Sequence, residues 1–386
     1  MAWSSAGASW AQSDEFSVNS YGTGIQQRPQ VATFSDGGFV VVWQSNQSPG
    51  DDSDGSSILG RRFDASASPL GDDFQVNVDT AFSQTLAQVQ ALSDDGFVVV
   101  WNTANSPLFA LGETGDVKGR VFSSSGDPVA TEFQVNTPGD IVTNYGHEVV
   151  ADDSGGFAVV WDDFDGDVFL RTYGADVAPA TAPILLTTPG PCTTIWSDIA
   201  VVGGSVYLPV WHCVGSASDI FLQRYGGDGQ PVAPLQTAAP ADLMQVVSAG
   251  DGFALARKAF NGPRWTGELF DAAGAAAGAE FDLSSELQVI TEGPAGLATV
   301  WADNQPAGSD DDRLSIKIGR FTSDGATLSG AAQVNQFTVN DQRQPHVAAL
   351  ADGRFITVWS SRFSDDVDND WVIRARILRD DVFDDG

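Results

Sequence analysis

The chain has 386 residues, 42% of them hydrophobic and 18% charged, which supplies a large core and is too apolar for a disordered chain. Acidic residues outnumber basic ones 51 to 19, for a net charge of -32, so a phosphate backbone would be repelled and nucleic-acid binding is disfavoured. No apolar run approaches the roughly 18 residues of a membrane span.

The first 15 residues, "MAWSSAGASWAQSDE", read as a tail without the basic start and apolar middle of a signal peptide. "FSVN" at 16–19 follows, and the phrase returns as "FQVN" at 74–77, "FQVN" at 133–136 and "AQVN" at 332–335. Between the copies a frame recurs. An apolar segment such as "PQVATF", "AQVQAL" or "PHVAAL" comes first. Turn residues and an anchor run follow: "GFVVVW" (38–43), "GFVVVW" (96–101), "GFAVVW" (156–161), "VYLPVW" (206–211), "GFALAR" (252–257), "GLATVW" (296–301) and "RFITVW" (354–359). After each anchor come a loop and a third segment, from "ILGRRFDA" (58–65) to "VIRARILR" (372–379). The "FxVN"-type phrase is last, starting at Phe16, Phe74, Phe133, Ile184, Leu235, Phe281 and Ala332.

Four strands repeated seven times predict one all-β domain over residues 1–386. It is a seven-bladed β-propeller with four antiparallel strands per blade. Only "DDVFDDG" follows "VIRARILR", so the last blade lacks a fourth strand. The early "FSVN" is predicted to supply it and close the ring. In organisation the repeats resemble propellers of secreted and surface proteins of bacteria, and the acidic loops resemble those of integrin-type FG-GAP or lectin-like propellers. That resemblance implies an extracellular or cell-surface binding role, often with calcium.

Two constellations are candidates for chemistry. Thirteen residues before the strand-ending Trp43, Trp101, Trp161, Trp211, Trp301 and Trp359 stand Gln30, Gln88, Glu148, Asp198, Gln288 and His346. In the fifth repeat a turn one residue shorter puts Gln245 at that place. One residue per innermost strand makes a polar ring around the axis. Such a ring can hold an ion or ligand, with Glu148 and Asp198 as the natural cation pair, or simply hydrate a channel. Two residues earlier on the same strand face come Arg28, Gly146, Trp196, Glu286 and Gln344, which would shape one mouth.

The second constellation is the loop between second and third strands. It carries Asp52 and Asp54 in "DDSDGS", Asp163, Asp165 and Asp167 in "DDFDGD", Asp310 and Asp312 in "SDDDR", and Asp366, Asp368 and Asp370 in "DDVDND". Alternating carboxylates on a curled loop suit calcium, although none has the full EF-hand spacing, and each also suits an ordinary solvated turn. Cys192 and Cys213 flank a hairpin turning at Gly203 and Gly204, placed to form a disulfide or to stay as two buried thiols.

Catalytic motifs are absent: no GxSxG, Walker loop or CxxC, and "HEVVA" at 147–151 lacks the second histidine of a zinc protease. Beyond the anchor tryptophans, Trp3, Trp10, Trp196, Trp265 and Trp371 remain as sugar platforms. The leading expectation is a monomeric, extracellular, calcium-supported and non-enzymatic module for a glycan or protein surface. The alternatives are a polysaccharide lyase or hydrolase using His346, Arg28, Glu148 and His147 around the axis, and a structural module of a larger secreted protein.

Overall fold

The computed structural model describes residues 14–46, 55–104, 115–138, 142–163, 165–187, 195–213, 219–259, 262–284, 286–294, 296–303, 314–338, 340–362 and 371–378. These residues form 28 strands and no helix, hence none long and apolar enough to cross a membrane. The strands fall into seven antiparallel four-stranded blades, ordered outward from the axis as they run along the chain except in blade 7, whose outermost strand is Phe16–Ser17. The innermost strands are Gln26–Thr33, Gln84–Ala91, Val142–Ala151, Ile195–Val202, Leu243–Ala249, Val289–Gly293 and Gln342–Ala349. Blades 2 and 3 touch edgewise through the single pair Val142–Gly115.

The anchor runs are the second strands, and their β-branched and aromatic residues are apolar on both faces because each blade is covered by two neighbours. The core is accordingly divided into seven clusters, one per junction between blades. Trp43, Trp101, Trp161 and Trp359 are fully buried there. Anchor phenylalanines stack on the aromatic ending the third strand, as in Phe39 on Phe63 at 5.0 Å and Phe97 on Phe122 at 4.9 Å.

The repeated "FxVN" phrase has a packing reason for each conserved letter within the chain. Its phenylalanine lies flat on a third-strand glycine: a Cβ on Gly60, Gly119 or Gly267 would meet the ring of Phe74, Phe133 or Phe281 at 2.8, 2.7 and 2.5 Å. Its valine is fully buried at Val18, Val76, Val135 and Val334. Its asparagine caps the neighbouring strand. Asn77, Asn136 and Asn335 accept the backbone N–H of Ile58, Val117 and Ile316 at 2.9, 3.0 and 2.9 Å, where the short fourth strand has ended.

"FSVN" occupies that place in blade 7. Phe16 and Ser17 pair with Ala375 and Arg374, the Val18 N–H donates to the Ile373 carbonyl at 2.9 Å, and Asn19 accepts the Ile373 N–H at 2.8 Å. The ring therefore closes by joining the two ends of the chain within one sheet.

Candidate functional site

Register places the polar ring on the axis. Gln30, Gln88, Glu148, Asp198 and His346 pair with the valine just before each anchor tryptophan, and Gln245 pairs with Ala256, just before Arg257. The fifth repeat does shorten its turn by one residue, keeping Gln245 in phase with those five, whereas in the sixth Val289 rather than the expected Gln288 pairs with Val300, the valine before Trp301, so Gln288 stands one residue off the ring position. These residues, with Gln288, line an axial cavity of about 470 Å³.

Most of their hydrogen bonds run to the next blade. The neutral His346 ring accepts the Val31 N–H through Nδ1 at 3.4 Å, and Asp198 accepts the Val246 N–H at 2.8 Å. Gln88 Nε2 donates to Glu148 at 2.5 Å, and Gln245 Nε2 donates to the Gln288 carbonyl at 2.5 Å. Four of the seven junctions are thus stapled at the axis. Burial pulls His346 down to about 4, which keeps it a neutral acceptor at pH 7. Between blades 3 and 4 two carboxyls face each other. Burial and the Asp198 charge push Glu148 well above the usual carboxylate range, while burial raises Asp198 to about 7 against the bonds from Val246 and Ile199. His147, one residue from Glu148, points away from the cavity into the protein, and burial takes it to about 4.

The mouth at the start of the innermost strands is a different surface, a cavity of about 420 Å³. Its two walls contrast. On blades 7, 1 and 2, Gln344, Arg28 and Leu86 hold left-handed φ values of 53°, 55° and 56°, each where the strand slips register against its neighbour. Non-glycine residues in this region cost about 1 kcal/mol apiece, and such bulges re-aim side chains. The Arg28 N–H donates to Gln344 Oε1 and to Ser360 Oγ, both at 3.1 Å, and Ser360 also donates to Gln344 Oε1, so the bulges of blades 7 and 1 are locked together.

The facing wall is apolar, with Trp196 42% exposed, Leu243 36% exposed, and Trp265 and Leu287 buried beneath. Of the other candidate platforms, Trp265 is covered, Trp371 lies under the Arg343 guanidinium at 5.5 Å, and Trp3 and Trp10 lie outside the described residues. Gly146 stands where a side chain would strike Asp162, and Glu286 pairs with Lys258 at 3.6 Å. Leu86 has the same offset from Trp101 as Arg28 has from Trp43, and Leu243 has that offset less the one residue by which the fifth repeat is shorter, so the count, applied without selecting polar residues, finds both.

The acidic loop of blade 3 opens on this face, because Asp163 pairs with Val142 at the start of the innermost strand. Its carboxylates serve the turn itself: Asp163 accepts the Asp167 N–H at 2.8 Å, and Asp167 accepts the Thr187 hydroxyl at 2.7 Å. Among the described residues no three His, Cys, Asp or Glu side chains come together as a metal cage. Asp52, Asp54, Asp310, Asp312, Asp366, Asp368 and Asp370 lie outside the described residues, as does Cys192. Cys213 ends the second strand of blade 4, opposite Ile195.

No protein-family model and no curated protein sequence matches this chain. Among the solved structures similar to it in fold are the following three. One is a protein of unknown function from Dyadobacter fermentans, with 8% identity over 96% of this chain and 99% of that one, at a TM-score of 0.54. Another is a polysaccharide lyase, the PL25 ulvan lyase bound to -[GlcA(1-4)Rha3S]-, with 9% identity over 96% of each chain, at 0.55. The third is the α-L-arabinanase of Penicillium chrysogenum complexed with arabinobiose, with 9% identity over 96% of this chain and 99% of that one, at 0.50. At such identity the likeness shows the propeller fold alone.

Proposed function

We propose that this propeller is an extracellular carbohydrate-binding module whose glycan lies across the channel mouth. The observation that carries the reading is the exposed Trp196 facing the locked Arg28–Gln344 wall across a cavity the size of a few sugar rings. An indole face stacks on the C–H face of a pyranose while amide and guanidinium groups take its hydroxyls. Two propellers of similar fold bear names tied to polysaccharide, which agrees with this reading without carrying it.

Trp196→Ala should weaken glycan retention by about tenfold or more on a glycan array and in calorimetry, with the melting temperature unchanged within about 2 °C, since the side chain is half exposed. Equal retention by the variant would remove the mouth as the site.

Calcium belongs to the same proposal as a support for the acidic loops, whose described member does not complete a cage by itself. Millimolar calcium should raise the melting midpoint by several degrees and a chelator should reverse it. An unmoved midpoint withdraws calcium and leaves the sugar site standing.

A second reading, a lyase or hydrolase, draws on Glu148 and Asp198, since a carboxyl titrating near 7 can serve as a general acid or base. Against it stand the bonds that tie both carboxyls to neighbouring strands and the depth of His346 below the mouth. An assay for unsaturated or newly reducing ends on any retained glycan separates the two readings, and turnover would favour the enzyme.

A further inference from the structure

We infer that the ligand of the channel mouth is an acidic glycan, one whose sugar carries a carboxylate or sulfate ester that pairs with Arg28. This inference rests on the mouth being the carbohydrate site and adds the charge class of what binds there.

Arg28 is distinguished by what it does not do. In a chain of net charge -32, basic side chains have a surplus of carboxylates to meet. Among the described residues every other lysine and arginine makes a hydrogen bond, ion pair or electrostatic contact within the protein, whether to a carboxylate, as Lys118 does with Asp79 and Glu132 at 2.8 Å, or to a carbonyl, as Arg120 does with Val76 at 2.9 Å. Among the described residues Arg28 donates only through its backbone, and its exposed guanidinium has no partner there.

The position is also built. Holding Arg28 at a φ of 55° is unfavourable for a side chain of this size, and two bonds to its N–H from the adjoining blade keep it there. Strain held in place by a neighbouring blade, at the rim of a cavity, fixes where the guanidinium emerges. A rigid fork of donors matches the two oxygens of a carboxylate or of a sulfate ester, and such charge-assisted pairs are about twice as strong as neutral hydrogen bonds. Across the cavity Trp196 supplies the stacking surface, so a sugar ring seated there extends an acidic substituent toward Arg28. Long-range repulsion from the acidic protein is screened beyond about 8 Å at physiological salt, which leaves the local pairing to decide selectivity.

The test is a glycan array presenting neutral, uronate, methyl-esterified uronate and sulfated oligosaccharides to the intact chain and to Arg28→Gln, Arg28→Lys and Trp196→Ala. Gln344 occupies the matching place in blade 7 at a φ of 53°, so glutamine is accommodated at position 28. The wild-type chain should retain acidic glycans at least about tenfold better than their neutral or esterified counterparts. Arg28→Gln should shrink that ratio to within about twofold, and Arg28→Lys should keep part of it. Preference for the uronates over the sulfated glycans, or the reverse, tells which anion is meant. Retention of neutral glycans only, retention of none, or an acidic preference that survives Arg28→Gln each overturns the inference. Acidic preference lost in Arg28→Gln with overall retention unchanged in Trp196→Ala would keep Arg28 and sink the stacking site, so the two failures are distinguishable.

Discussion

A chain that begins at Tyr21 should melt at least about 6 °C below the full-length protein. The missing segment is small, yet it serves three blades. Val18 is fully buried and Phe16 packs at 5.9 Å from Phe63, so removing both costs roughly 2 kcal/mol each in burial alone. Blade 7 would be left with the Ile373 carbonyl and N–H both unsatisfied, at roughly 1–3 kcal/mol per group. The Val18 carbonyl accepts from Arg61 of blade 1 at 2.9 Å, and Glu15 accepts the N–H groups of Gln336 and Phe337, beyond the fourth strand of blade 6, at 2.8 and 3.0 Å. A loss of about 5 kcal/mol or more in a 386-residue domain shifts the midpoint by about 6 °C or more, at an unfolding entropy of roughly 2.1 cal/mol/K per residue. Thermal denaturation followed by circular dichroism measures it, and a midpoint within about 2 °C of the parent would contradict closure by this strand.

Asn77→Ala should cost about 2–3 kcal/mol, an outsized effect for a residue outside any regular strand. Asn77 is 2% exposed, and its oxygen is the partner of the fully buried Ile58 N–H, while its amide donates to the Asp79 carbonyl at 3.0 Å and to Gln84 at 3.2 Å. Alanine leaves the donor of Ile58 buried and unpaired. The protein itself contains the rescue: in blade 3 Thr187 fills this place and its hydroxyl accepts the Val168 N–H at 3.4 Å. Asn77→Thr should therefore recover part of the loss in urea denaturation. Equal destabilisation by alanine and threonine would mean that the bond to Ile58 is not what the asparagine provides.

The propeller was legible because its signals are local and repeated. Seven anchors ending in an aromatic or, once, in Arg257 gave the blade count, and the displaced "FSVN" gave the phase, since a four-stranded unit that starts at its fourth strand must borrow across the ends. Gln245 was placed in phase with the ring despite its shorter spacing because it precedes the same apolar pair as its counterparts. The site was legible only in part. Counting back from the anchors located the ring and the mouth, but attention to polar residues passed over Leu86 and Leu243, which give the mouth its bulge on one side and its apolar wall on the other.

The sequence by itself determined the number of blades, the strand order, the closing strand and, except in the sixth repeat, where Val289 rather than Gln288 takes the ring position, which residues face the axis, because each follows from spacing along one strand and its nearest neighbours. The tertiary structure decided what those residues do. Whether a polar side chain is spent on the protein or left for a ligand depends on a blade that can be hundreds of residues away, as when His346 reaches Val31 or Gln344 receives Arg28. Such bonds across blades, invisible to any periodicity, made the axial ring largely a set of staples and left Arg28 and Trp196 facing the solvent.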